Sequence, residues 1–286
     1  MCRLAGRAAP TARRLRVASE LRRLREGAGL SSTQAAQRLG VAQGQLSNVE
    51  TARFGVSGSR IRALAHVYSC ADNGFVDALA AMAEDRSRGW WEEYRDILPV
   101  GLLDLAELEH HGTRLRTAHT AHIPGLLQTP EHAREIYRQA IPELPPSDIE
   151  HRISHRMKRQ AVLYRTNPIP YQAIIHEAAL RMQFGGPEIA RVQLQHLVKL
   201  ATLEHLTIRV LPFAAGSYPG SGQSINYVHG AVPRLDTVQL DQSHGVAFVD
   251  GANELSQYRE LFARLETLAL PPDESRTFVH NLAESL

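Results

Sequence analysis

Apolar residues recur every three or four positions through the first third of the chain, then give way to runs and alternations. Leu21, Leu24 and Ala28 mark one face of a helix from Ala18 that Gly29 stops. Ser31 and Gln34 stand as S-x-x-Q, a capping box whose hydroxyl and amide satisfy two orphan backbone groups. It opens a second helix that buries Ala35, Ala36 and Leu39 and ends at Gly40. A third helix starts near Ala42 or Gln43 with Leu46 and Val49 inward. A fourth presents Ile61, Leu64, Ala65 and Tyr68, and a fifth Phe75, Leu79 and Met82. Past residue 90 the pattern predicts helices over 101–112, 130–140, 147–164, 187–205, 254–269 and 272–285. Strand-length apolar segments fall at 114–118, 171–176, 206–211, 224–229, 237–240 and 246–249. Helices and strands are interspersed without a regular strand–helix repeat. The expected architecture is a mainly α N-terminal domain of five helices followed by an α+β domain, rather than a doubly wound sheet.

Two short helices joined by a turn at Gly40, with the small Ala36 where they cross, form a helix-turn-helix pattern. Once Leu46 and Val49 are turned inward, the third helix shows Gln43, Gly44, Gln45, Ser47 and Asn48. All are small or amide-bearing and none is acidic, whereas a solvated helix face usually carries Glu and Lys. Gln and Asn can bond bidentately to the N6 and N7 edge of adenine. The face reads as a base-reading surface for double-stranded DNA.

Charge sharpens this reading. The formal net charge is only +2, yet residues 1–85 hold twelve Arg and no Lys against seven acidic residues. Over residues 1–70 the balance is twelve basic to three acidic, the footprint of a segment that meets a polyanion. Arg3, Arg7, Arg13, Arg14 and Arg16 precede the first expected helix as a basic arm over residues 1–17, which either contacts DNA or is solvated. The expected domains are therefore the arm, a helix-turn-helix domain at 18–85, and a C-terminal domain at 90–286 beyond the polar bridge 84–89.

Composition excludes several classes. Hydrophobic residues at 43 % and charged residues at 22 % fit a globular chain. No apolar run nears the ~20 residues of a membrane span, and the first twenty residues carry no apolar core of a secretory signal. Cys2 and Cys70 are too few for a disulfide framework or a four-cysteine zinc site, so a cytoplasmic, nucleoid-associated chain is expected. Neither H-E-x-x-H, G-x-S-x-G, a phosphate-binding glycine loop nor a dinucleotide fingerprint occurs, and no enzyme, metal or cofactor is expected. His151 and His155 have metal-ligand spacing, but Arg152, Arg156, Lys158 and Arg159 surround them and oppose a cation. His176–Glu177 resembles a helix N-cap, and the Gly- and Pro-rich loop 213–223 is either a connection or a lid.

Residues 20–68 resemble the Cro/cI-type (XRE) helix-turn-helix repressors. The resemblance implies base contacts from Gln43, Gly44, Gln45, Ser47 and Asn48, and phosphate contacts from Ser32, Thr33, Thr51 and Arg53. It also implies an ion pair between Arg25 and Glu50. This chain departs from the pattern at Ser32, where Gln is usual, at the cap residue Ala42, and at Ala52, where Gly is usual. Seven further segments, among them WWEEYRDILP, HIPGLLQTPEHAR, IIHEAALRMQFGG and LTIRVLPFAAGSYPG, resemble the actinobacterial WhiJ-like regulators. Those are antitoxin-like transcription factors with a large C-terminal domain of poorly defined role. The likeness implies a regulator, read as a repressor, whose C-terminal domain receives a small-molecule ligand or a small protein encoded by a neighbouring gene. Because one helix-turn-helix reads too few bases to find a site alone, a homodimer is expected. The alternative is an antitoxin-like module that sequesters that small protein and binds DNA for autoregulation alone. Gln239, Leu240 and Asp241 stand where that family commonly shows an aromatic and a glutamate near a strand end.

Overall fold

A computed structural model of the chain describes residues 10–85, 87, 89–242 and 245–286. The chain divides into two compact units, Met1–Gly89 and Trp90–Leu286.

The first unit is built of α1 (Ala12–Gly27), α2 (Ser32–Arg38), α3 (Gln43–Glu50), α4 (Gly58–Val67) and α5 (Asn73–Glu84). Its core gathers Leu21, Leu46, Ile61, Leu64, Phe75 and Leu79, all buried. Leu39, Val49 and Met82, expected to face inward, are only half-buried. α1 and α2 end alike. Gly29 and Gly40 take the left-handed conformation at φ 68° and 64°, which only glycine adopts without strain. The following N–H groups of Leu30 and Val41 then return to carbonyls of the preceding turn.

The first helix differs from expectation. It begins at Ala12, not near Ala18, because the Thr11 side chain accepts from the Arg14 N–H and caps it. Arg13, Arg14 and Arg16 are therefore helical struts, not a loose arm. Arg13 donates to the Met82 carbonyl and faces Asp85, Arg14 donates to the Ala52 carbonyl at 3.2 Å, and buried Arg16 pairs with buried Glu20 at 3.1 Å. Arg3, Arg7 and Cys2 lie outside the described residues, as do Arg86 and Arg88 of the bridge.

The second unit holds one six-stranded sheet in the order β3-β2-β1-β4-β5-β6. The strands are β1 (Arg114–His119), β2 (Tyr171–His176), β3 (Leu206–Leu211), β4 (Ile225–His229), β5 (Thr237–Gln242) and β6 (Gly245–Val249). β1, β2 and β3 run parallel; β4, β5 and β6 continue antiparallel from β1. Buried on both faces, β2 carries Tyr171, Ala173, Ile174 and Ile175, interrupted only by Gln172, which bonds to Arg116 and Glu266. The helices are α6 (Val100–His111), α7 (Pro130–Arg138), α8 (Pro146–Arg159), α9 (Glu177–Arg181), α10 (Pro187–Leu200), α11 (Ala252–Leu268) and α12 (Pro272–Glu284). One face of the sheet packs Ala173, Ile175, Ile208 and Val210 against Leu194 and Leu197 of α10 and Val279 and Leu282 of α12. The other sets Ile174, Tyr227 and Leu240 against Leu255, Phe262 and Leu265 of α11. The free edge of β3 is closed by the α11–α12 connection: the Val210 N–H donates to the Ser275 hydroxyl, and the Leu270 N–H to the Val210 carbonyl. The expected helix over 147–164 turns at Arg159 into a 3-10 segment at Gln160–Leu163, and the one over 187–205 stops at Leu200.

Candidate nucleic-acid interface

The turn between α2 and α3 is fixed from both sides. Ser31 and Gln34 form the reciprocal capping box at the start of α2, at 3.2 and 2.9 Å. Behind α3, Arg25 donates from Nε and Nη2 to the two carboxylate oxygens of Glu50 at 2.8 and 2.9 Å, and from Nη1 to the Leu30 carbonyl at 2.8 Å. Both side chains are buried, at 9 % and 6 % exposure. The bond to Glu50 outweighs burial and holds the Arg25 guanidinium above its ordinary value. This clamp joins the last turn of α1 to the last residue of α3 and locks the angle at which α3 is presented. Tyr68 lies close by, its phenol pushed up to about 12 by burial and then by the Glu50 charge.

On the outer side, Gln43, Gly44 and Gln45 are exposed, while Ser47 and Asn48 are half-buried. Gln43 Nε2 leans on the Ser32 hydroxyl at 3.4 Å, so the first residues of α2 and α3 are neighbours. Ala42 supplies no side-chain cap, which leaves the first N–H groups of α3 open to solvent or to a phosphate oxygen. Thr33 and Arg53 are exposed, and among the described residues Arg53 makes no ion pair. Thr51 is also exposed, but its hydroxyl donates to the Ser47 carbonyl at 2.7 Å and leaves only lone pairs outward. To meet a phosphate as a donor it must break that bond. Ala52 stands at φ 55°, the conformation for which glycine is built, and Arg14 holds its carbonyl. Arg14 is thus a positioning residue that hydrophobic periodicity missed; the Pro10–Thr11 cap was the signal that could have found it.

In the second unit the histidine pair separates. His155 is buried 5.1 Å from the rings of Trp90 and Tyr94, whereas His151 is exposed. His176 caps α9 by accepting from the Ala178 N–H at 3.1 Å. Glu177 takes the Phe213 N–H at 2.8 Å and Arg181 at 2.7 Å; these bonds outweigh burial and hold its carboxyl below the ordinary value. Loop 213–223 is therefore tied at one end to Glu177, and near the other by Thr120, whose hydroxyl donates to the Gly222 carbonyl at 2.7 Å.

Residues 102–281 match a protein family described as a domain of unknown function, DUF5753. The chain belongs to the DUF5753 family. Residues 16–74 match a helix-turn-helix domain, which makes the first unit a DNA-binding one. Neither a curated protein nor a solved structure matches the chain. In this DUF5753 protein no helix among the described residues is long and apolar enough to cross a membrane.

Proposed function

We propose that this DUF5753 protein is a sequence-specific transcriptional regulator of the WhiJ-like kind, a repressor that binds its operator as a homodimer. The observation that carries the reading is the outer face of α3: amides and small side chains, no carboxylate, held at a fixed angle by the Arg25–Glu50 clamp. One such helix contacts too few bases to single out a site, so two copies placing α3 in successive major grooves, roughly 34 Å apart, supply the specificity. The DUF5753 unit receives the signal, a small ligand or a small protein, that favours one geometry of the dimer over another.

Fluorescence anisotropy on the DNA upstream of its own gene, across a salt series and against random competitor, tests the proposal. Gln45→Ala or Asn48→Ala lowers operator affinity by about 1–3 kcal/mol and leaves random-sequence binding unchanged. Equal losses on both DNAs would overturn the base-reading role.

A further inference from the structure

Two arginines sit one turn apart on the buried side of α8, and their surroundings differ. Arg159 is met by Glu109 with two bonds, at 2.8 and 2.6 Å, and attraction to that carboxylate overcomes burial to raise its pKa. Arg156 has no carboxylate within ion-pairing distance among the described residues. It donates to the Gln128 side-chain carbonyl, its Nε has no partner, and its plane lies over the Tyr137 ring at 4.3 Å. Asp241 and Glu109 reach it only as distant charges, the one accepting from Gln239 and the other spent on Arg159. Arg152, one turn earlier, also faces Tyr137 and has an unpartnered Nε.

Around Arg156 stand three histidines it acts on electrostatically. His132 is 1 % exposed, and neither ring nitrogen has a hydrogen-bond partner among the described residues. His119, at the C-terminal end of β1, is 6 % exposed; its Nε2 meets Asn226 at 3.3 Å and its Nδ1 has none. His122 is exposed and stacks on Phe184, whose ring also meets His132 at near a right angle, so this aromatic pair links buried His132 to the surface. Buried polar groups are ordinarily bonded, and a buried cation is ordinarily paired. Here buried imidazole nitrogens without partners and a half-buried guanidinium without a carboxylate lie near the end of a parallel strand, where open α/β sheets bind ligands. The neighbouring recess lined by Thr117, Tyr171, Glu109 and Arg159 shows the contrast, because its polar groups satisfy one another.

We infer that Arg156, with His132 as a further donor, His119 beside it and His122 on its exposed side, forms a site for the carboxylate or phosphate group of a small anionic ligand. The inference rests on the reading of the DUF5753 unit as the receiver of a signal and names the chemistry of that signal.

The test uses the full chain and two probes, inorganic phosphate and acetate, with potassium chloride at matched ionic strength as control. The readouts are imidazole nitrogen shifts by NMR and thermal stability. Saturable movement of the His132 and His119 signals by one probe and not by chloride is expected, and which probe acts tells a phosphate from a carboxylate ligand. Arg156→Gln should weaken it roughly tenfold or more, while Arg156→Lys, which keeps the charge but loses the planar fork, weakens it less. His122→Ala, an exposed change that leaves the core untouched, should also weaken it and serves if Arg156→Gln fails to fold. No saturable shift with either probe, or a shift unchanged in both Arg156→Gln and His122→Ala, overturns the proposal. DNA is absent from the experiment, so failure here leaves operator binding standing, and failure of operator binding leaves this result standing.

Discussion

Cutting the Arg25–Glu50 clamp gives the sharpest test of how α3 is held. In Arg25→Met the Glu50 carboxylate stays in a pocket where its side chain is 6 % exposed, and the Leu30 carbonyl loses its donor. Removing one partner of a buried pair costs about 3–5 kcal/mol, because the remaining charge is left without solvent or counter-charge. Against a total of ~5–15 kcal/mol for a domain, this is a large fraction of the stability of the first unit. Replacing both, as Arg25→Met with Glu50→Leu, removes the stranded charge and should return the unit to within about 1–2 kcal/mol of the parent. Hydrogen exchange of peptides from α1 to α3 in the full chain reads this unit without interference from Trp90 and Trp91, which belong to the other. The single variant should lose roughly two to three and a half orders of magnitude of protection in its slowest amides. Because the pair is buried, the loss should persist at high salt, which screens exposed pairs. A loss under tenfold, a loss that salt abolishes, or a double variant as damaged as the sum of the singles would refute the argument.

Four further outcomes follow. Ser69 closes α4 at φ 56°, exposed on the same two-bond turn that Gly29 and Gly40 make, so Ser69→Gly should stabilise the first unit by about 0.5–1 kcal/mol in exchange measurements. Ala52→Gly should gain less, since it relieves similar strain but gives up a buried methyl. In the second unit, burial holds His119 and His132 at about 4 and His155 at about 3, with nearby arginine charge adding to it for His132 and His155. The unfolded chain, with histidines near 6.5, then binds more protons below neutrality, so stability falls as pH drops from about 6.5, by up to about 1.4 kcal/mol per pH unit for each group. Tryptophan-monitored urea midpoints that stay flat between about pH 7 and pH 5, above the range where carboxylates such as Glu177 titrate, would contradict this. Glu266 accepts from Arg116 at 2.8 Å and from Gln172 at 2.5 Å, fastening α11 to the sheet. Because the Glu266 side chain is 35 % exposed, Glu266→Ala should cost only about 1–2 kcal/mol in the same assay and Glu266→Gln distinctly less; equal losses would show that the charge pairing is immaterial.

The elements of the sheet were legible because their signals are local. β2 and β3 occupy the expected residues, strand-length segments rich in β-branched and aromatic residues, one preceded by Pro170 and the other followed by Pro212. The capping box at Ser31 and the left-handed glycines likewise announce α2 within a few residues. The start of α1 was hidden because its first turns, ARRLR, have no apolar stripe. Arg13 and Arg16 enter the bundle through aliphatic stems and paired heads, which binary patterning scores as solvent-facing. Thr51 was hidden in another way, since residue type gives its donor capacity but not the Ser47 carbonyl that takes it. The exposed face of α3 could be read in advance because a single helix of eight residues carries it.

The anion site of the DUF5753 unit lies at the opposite extreme. His119 comes from β1, His132 from α7 and Arg156 from α8, and no spacing along the chain relates them. Much of the remaining buried polarity of this unit is paired: Glu109 with Arg159, Thr117 with Tyr171, Tyr227 with Asp236, and Asn226 with Gln239. Each exchanges solvent for a partner of matching chemistry, the condition under which polar groups are tolerated inside a protein. The cluster about Arg156 breaks that condition with several groups at once, near the exposed His122. Elsewhere in the unit unpartnered buried atoms stand singly, at His155, His205, Arg209, Tyr218 and His229, whereas several gathered about one guanidinium are a cost most readily borne where a ligand completes the set. The same cost, relieved on binding, supplies the differential affinity by which a signal can shift the regulator between states.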